Sequence, residues 1–114
     1  MTPGMPAVTH PLSDELVELI AGRFRAFADP TRIKLLDRLH DGEATVGDLT
    51  QAAGTTQQNV SKHLLILLNA GIVARRRAGN FSYYRIADPS VFELCETVCG
   101  SLRREIDTLD AVVR

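Results

Sequence analysis

One third of the sequence is rich in basic residues and contains no acids. Between Asp48 and Asp88 there is no aspartate or glutamate. The whole chain carries thirteen bases, fourteen acids and a net charge of −1, so the five bases in this stretch give it +5 and leave −6 elsewhere. These bases are Lys62, Arg75, Arg76, Arg77 and Arg85. The pattern predicts a surface that contacts a polyanion; the alternative is an ordinary solvated face.

A run of hydrogen-bonding side chains surrounds Lys62. Glutamine and asparagine amides can pair with adenine, and hydroxyl or ammonium groups can reach phosphates or bases. Arginines in a following β-hairpin can reach the DNA backbone or the minor groove. The predicted DNA contacts are Thr56, Gln57, Gln58, Asn59, Ser61, Lys62, His63, Arg75, Arg77 and Arg85. In the alternative interpretation, Thr55 and Gln58 only cap a helix and Lys62 lies in solvent.

Two cysteines form the other candidate site. Cys95 and Cys99 lie four residues apart, so a helix places them on one face, with Cβ atoms about 5–6 Å apart. This spacing is too long for an unstrained disulfide, but two thiolates can share a soft metal ion. A further ligand would come from His10, Glu96 or a second subunit. The alternatives are that both cysteines pack as small apolar residues, or that they form a thiol-reactive switch, which their acidic neighbours disfavour.

The sequence has no recognisable catalytic spacing, and we predict that the chain is not an enzyme. Ser61, Lys62 and His63 are consecutive, so a helix points them in different directions. No apolar run is long enough to span a membrane, and the first ten residues lack the features of a secretion signal. Two neighbouring cysteines do not make a disulfide framework, which favours a reducing compartment. We therefore expect a cytoplasmic protein.

Four helices are predicted before the hairpin. Ser13 and Asp29 suit N-cap positions, and Pro30 suits the first position of a helix. Thr45 with Asp48, and Thr55 with Gln58, have the spacing of capping pairs at the starts of the third and fourth helices. Apolar residues at helical spacing then predict helices at about 14–28, 29–40, 45–53 and 56–69. A short third helix, a turn containing Gly54 and a longer fourth helix form a helix-turn-helix, whose second helix enters the major groove in DNA-binding proteins.

The sequence pattern changes after Gly71 from helical spacing toward alternation. Ile72–Arg77 and Phe81–Ile86 are β-prone runs joined by Ala78, Gly79 and Asn80. Because Gly79 and Asn80 tolerate positive φ, this segment predicts a short hairpin turn and a two-stranded wing.

A long apolar seam is predicted in a last helix that begins after Asp88-Pro89. Its apolar residues recur every three or four positions to Val113, over more turns than a small core needs. We expect this helix to pack against the first helix and a second subunit. The predicted dimerisation residues are Leu16, Ile20, Leu102, Ile106 and Leu109.

The predicted fold class is mainly α with a small β-hairpin: a dimeric winged helix-turn-helix of order α-α-α-α-β-β-α. Residues 11–113 are expected to form one DNA-binding and dimerisation domain that follows a flexible tail at 1–10.

Several segments resemble the bacterial arsenic-repressor (ArsR/SmtB) family of winged-helix regulators. They are Phe27–Leu36 (FADPTRIKLL), Thr45–Leu49 (TVGDL), Asn59–Leu64 (NVSKHL), Gly71–Val73 (GIV) and Tyr83–Ile86 (YYRI). The resemblance covers about residues 15–107. It implies a homodimeric repressor that binds a palindromic DNA operator and is released by an inducer, often a metal ion.

The family's familiar metal sites are not matched in this sequence. The arsenic-type site needs a Cys-x-Cys cluster near the third helix, but 45–54 contains no cysteine or histidine. The zinc-type site needs Asp-x-His and two further ligands on the last helix, where this chain has Asp88-Pro89-Ser90, Ser101 and Arg104. The two cysteines remain as candidate ligands, with the cofactor unknown. The alternatives are a regulator without metal or redox sensing and a winged helix that binds a partner protein.

Overall fold

The chain folds as a winged helix-turn-helix with a long last helix. The structure is a computed structural model that describes residues 9–113, with side chains described up to Leu109. Residues 1–8 of the predicted flexible tail lie outside the described residues. The elements are α1 (Asp14–Phe27), α2 (Pro30–Leu39), β1 (Ala44–Thr45), α3 (Val46–Ala53), α4 (Gln57–Asn69), β2 (Val73–Ala78), β3 (Phe81–Ile86) and α5 (Ser90–Val113). The predicted order of helices and hairpin is confirmed.

Side-chain caps set the beginnings of the first three helices, as predicted. The Asp29 carboxylate accepts a hydrogen bond from the backbone N–H of Arg32 at 3.0 Å, which satisfies one of the free donors at the start of α2. At α3, Thr45 and Asp48 each accept from the other's backbone N–H. This bonding lowers the pKa of the Asp48 carboxyl below its ordinary value. Gly54, with a φ of 67°, ends α3 in the left-handed conformation.

The cap of α4 differs by one residue from the prediction. Thr56, and not Thr55, is the N-cap, and its hydroxyl accepts from the backbone N–H of Asn59 at 3.1 Å. Thr55 instead accepts from the side-chain amide of Asn59 at 3.3 Å. The two adjacent threonines therefore have different roles, and Gln58 is not part of a capping pair with Thr55.

The sheet contains one more strand than predicted. β3 lies between β1 and β2 and pairs antiparallel with both. The pairing of Ala44 with Tyr84 brings the segment before α3 against the base of the hairpin. A strand of two residues is too short to show a β pattern in a sequence. In the turn, Gly79 has a φ of 63° but Asn80 does not have a positive φ, so one glycine makes the reversal.

The core lies where α2, α3 and α4 meet the base of the wing. On α4, Val60, Leu64 and Leu67 point inward because they are spaced by three and four residues. The largest fully buried side chains are Leu35, Leu49, Val60, Leu64, Leu67, Ile72 and Val91. This core fixes one face of α4 and leaves the opposite face of its first turns exposed.

Beyond its first turns, α5 leaves apolar side chains in solvent within the single chain. Val91 is buried, and the Phe92 ring lies edge-on to His40 with centroids 4.9 Å apart. In contrast, the seam residues Val98, Leu102, Ile106 and Leu109 are 50–63% exposed. Leu16, Val17, Leu19, Ile20 and Phe24 are similarly exposed on α1. Packing on α1 thus does not bury the seam in one chain. Within residues 9–113, no helix has both the length and the apolar character that crossing a membrane requires.

Two adjacent leucines of α4 provide a test of this core. Leu64 is 1% exposed and Leu65 is 55% exposed. We expect Leu64→Ala to lower the free energy of unfolding by about 2–5 kcal/mol because it leaves a cavity. We expect Leu65→Ala, the matched control, to lower it by less than about 1 kcal/mol. Urea denaturation at one fixed protein concentration measures both; equal losses would contradict the placement of α4.

Candidate nucleic-acid interface

The first turns of α4 present polar side chains to solvent next to the N-cap. Gln57, Gln58, Ser61 and Lys62 are exposed, and none of them makes a side-chain hydrogen bond within the described part of the chain. No acid lies in the first turn of this helix. Since amides can pair with base edges and the lysine with a phosphate, this surface has the chemistry that a major-groove helix requires.

Asn59 is partly held in place by its neighbour. One hydrogen of its side-chain amide is donated to the Thr55 hydroxyl at 3.3 Å. The second amide hydrogen and the carbonyl oxygen of Asn59 remain, and these are the two groups that a bidentate contact with adenine uses. The predicted role of Asn59 is thus compatible with its geometry, and Thr55 restricts the side-chain rotamers.

His63 differs from its prediction as a DNA contact. It is buried, with 7% exposure, on the face of α4 that packs toward α2. Its Nδ1 lies 2.9 Å from the Arg32 guanidinium and 3.8 Å from the Asp29 carboxylate. The sequence placed His63 in the polar run beside Lys62, but the turn of the helix directs it toward Arg32 of α2, and its burial disfavours a direct contact with DNA.

Arg32 is a residue that the sequence reasoning did not select. Its guanidinium donates to the carbonyl oxygens of Ala26 at 2.7 Å and Arg25 at 3.1 Å, in addition to its contact with His63. Arg32 therefore joins the end of α1 to α4. An arginine two positions after a helix-starting Asp-Pro was visible in the sequence, but its contact with His63, 31 residues away, was not.

The wing carries basic side chains on both faces and not in one strip. Arg75 pairs with Tyr84 and lies on the same face as Arg77. Arg85 alternates with Tyr84 and so lies on the other face, with Arg76. Arg75, Arg77 and Arg85 are all exposed, so each is accessible for the contact with DNA that the sequence analysis predicts.

Glu43 neutralises one of the wing arginines. Arg76 donates two hydrogen bonds to the carboxylate of Glu43, at 2.7 and 2.8 Å. The Arg76 guanidinium also lies over the Tyr83 ring, 4.6 Å from the centroid. Bonding to Arg76 lowers the pKa of Glu43, and the charges of Arg76 and Arg85 contribute to the same shift. The acid-free stretch thus acquires an acid from outside it, because β1 pairs with β3.

The two cysteines lie on one side of α5 and are both exposed in the single chain. Partial burial, and then the Asp37 carboxylate, raise the pKa of the Cys95 thiol. Arg103, one turn further along, donates to the sulfur of Cys99 at 3.4 Å, a basic neighbour that the sequence reasoning missed. Among the described residues, no three histidine, cysteine or acidic side chains are grouped to hold a metal ion. Neither His10 nor Glu96 therefore completes a site within one chain.

Comparison with known proteins identifies the family. Residues 29–75 match the family model described as "Bacterial regulatory protein, arsR family". A probable mercury resistance operon repressor from Streptomyces lividans is 42% identical over 86 residues, which are 75% of this chain and 64% of that protein. An uncharacterised HTH-type transcriptional regulator from Mycobacterium tuberculosis is 36% identical over 102 residues, or 89% of this chain and 90% of that protein.

Solved structures agree with these sequence matches. The crystal structure of the M. tuberculosis regulator superimposes with a TM-score of 0.76 and covers 84% of this chain and 97% of that one. A homodimeric winged helix-turn-helix DNA-binding domain from Mycobacterium bovis, described as a possible ArsR-family regulator, gives the same score at 30% identity over 88% of this chain and 95% of that one. The chain therefore belongs to the ArsR family of bacterial winged helix-turn-helix transcription regulators.

Proposed function

We propose that this protein is a repressor that binds a palindromic DNA operator as a homodimer and is released by an inducer. The observation that carries the proposal is the exposed, acid-free start of α4 beside an arginine-bearing wing. Gln57, Gln58 and Asn59 would read bases, while Thr56, Ser61 and Lys62 would contact phosphates or bases. Arg75, Arg77 and Arg85 would reach the backbone or the minor groove.

The exposed apolar faces of α1 and α5 support the dimeric part of the proposal. Side chains this large and this exposed, aligned on two helices, are typical of an interface. Leu16, Ile20, Leu102, Ile106 and Leu109 would be buried between the two chains. Two-fold symmetry would then present two α4 helices to two operator half-sites. Residues 11–113 would act as one unit for DNA binding and dimerisation.

Cys95 and Cys99 are the proposed sensor. They lie on α5, the helix that carries the apolar seam, so an ion held by the thiolates would alter how the two chains pack. A small shift between the chains would move the α4 helices relative to each other and spoil the fit to two half-sites. A soft metal ion is the inducer that the thiol chemistry favours. One similar protein is named as a probable repressor of a mercury resistance operon.

The proposed setting is the cytoplasm, where a bacterial operator is found, and the proposed activity is binding without catalysis. The competing function is a winged helix that binds a partner protein. The exposed amides and lysine of α4 favour DNA, because a protein-binding helix would use apolar side chains there.

Replacing base-reading and phosphate-contacting residues should have different effects. Gln57→Ala should lower affinity for the operator by about 1–3 kcal/mol and relax base preference, with little change on random DNA. Arg77→Ala should lower the affinity for all duplexes alike and reduce the slope of log affinity against log salt concentration by about 1. Fluorescence anisotropy over a salt series measures both. Affinity that does not depend on salt would instead support the protein-binding alternative.

The dimer should separate when charge enters the proposed seam. Leu102→Asp combined with Ile106→Asp would bury two carboxylates in the interface, so we expect a monomer. Leu65→Asp is the matched control, since Leu65 is equally exposed but lies on α4; it should remain dimeric. Sedimentation velocity measures the mass of each, and a dimer in the double variant would contradict the assignment.

The cysteines should be needed for release. We expect Hg²⁺ or arsenite to dissociate the reduced wild-type protein from DNA, and Cys95→Ser with Cys99→Ser to remain bound at the same concentrations. The double variant should bind DNA as tightly as the wild type without the ion. Unchanged release would remove the cysteines from the sensor, and no release by any soft or borderline ion would favour the regulator without metal sensing.

A further inference from the structure

The guanidinium of Arg32 connects three parts of the chain. Nε donates to the carbonyl oxygen of Ala26 at 2.7 Å, and Nη2 donates to that of Arg25 at 3.1 Å. These carbonyls belong to the last turn of α1, where the regular helical pattern ends, and that of Arg25 also accepts from the backbone N–H of Ala28 at 3.2 Å. Nη1 lies 2.9 Å from Nδ1 of His63, in the middle of α4. One planar group thereby touches the end of α1 and the buried face of α4.

The contact between Arg32 and His63 indicates which ring nitrogen of the histidine accepts the hydrogen bond. A guanidinium only donates, so Nδ1 of His63 must accept and its proton must lie on Nε2. Apart from the phenol of Tyr84, His63 is the one polar side chain among the buried residues that the structure describes. The Asp29 carboxylate, 3.8 Å from Nδ1, is too far for a hydrogen bond to it and bonds instead to the backbone N–H of Arg32.

We propose that Arg32 is a positioning residue that sets the orientation of α4 from the end of α1, so that base selectivity depends on it. The inference rests on the function proposed above, in which α1 belongs to the dimer seam and α4 reads the bases. Apolar contacts of Val60 and Leu64 hold α4 in the fold, but they resist a small rotation less than directional hydrogen bonds do. The Arg32 contacts would supply that direction.

Such a role affects selectivity more than total affinity. Contacts with bases require the side-chain amides of α4 to align with the base edges in the major groove. Contacts with phosphates by flexible side chains such as Lys62 tolerate a small displacement of the helix. A lysine at position 32 keeps the positive charge but cannot reach three acceptors in one plane. Arg32→Lys should therefore retain the fold and the dimer and lose discrimination between sequences.

The experiment compares a duplex that the wild type enriches from a random-sequence library with an unselected duplex of the same length. For Arg32→Lys we expect affinity for the selected duplex to fall about 10-fold or more, within the range for loss of one base contact, and affinity for the unselected duplex to change less than 2-fold. Lys34→Ala, an exposed change on the same helix, is the control and should behave as the wild type.

Substitutions of His63 separate positioning from simple stability. His63→Asn places an amide oxygen near Nδ1 and should retain most of the selectivity, whereas His63→Leu keeps apolar bulk without an acceptor and should lose it. Thermal unfolding and sedimentation report fold and dimer. If Arg32→Lys keeps the selectivity of the wild type, the inference about Arg32 is wrong but the proposed function is not affected. The same holds if Arg32→Lys loses affinity equally for both duplexes and also has a lower Tm. A wild type that enriches no duplex would overturn the proposed function as well.

Discussion

Helix α4 has to satisfy two environments at once, and this constraint organises the rest of the molecule. Val60, Leu64 and Leu67 must be buried against α2 and α3, since exposing them would cost the chain much of its small core. That burial turns Gln57 and Lys62 outward. The packing of the apolar side chains therefore determines which side of α4 faces solvent, and the proposed role of Arg32 is to refine the orientation within that limit.

Charge on the outward surface is also shaped by the fold. The sequence has no acid over a long stretch that contains five bases. The short pairing of β1 with β3 nevertheless brings Glu43 beside the wing, where its carboxylate accepts two hydrogen bonds from Arg76. The Arg76 guanidinium also lies over the Tyr83 ring, its partner midway along the hairpin. One basic side chain of the stretch is thus paired with an acid, and Arg75, Arg77 and Arg85 remain exposed.

The sequence predicted the features that depend on local chemistry. Caps such as Asp29 and the Thr45–Asp48 pair, apolar spacing and the Gly79 turn all act over a few residues, and the helices lie where these signals indicated. It did not predict β1, the Glu43–Arg76 bond or the Arg32–His63 contact, because each joins residues that are more than 30 positions apart and only the folded chain brings them together. The burial of His63 was missed for the same reason, since Ser61 and Lys62 before it are exposed and polar and its partner Arg32 is distant in sequence.

The apolar seams on α1 and α5 also have a consequence for gene control. When two chains must associate before they fit an operator, occupancy rises with the square of chain concentration wherever single chains predominate. A modest change in synthesis or degradation of the protein then produces a sharper change in transcription than a single-chain binder could. In the proposed dimeric repressor, the strength of the seam would therefore help to determine how many copies a cell needs before its promoter is silent.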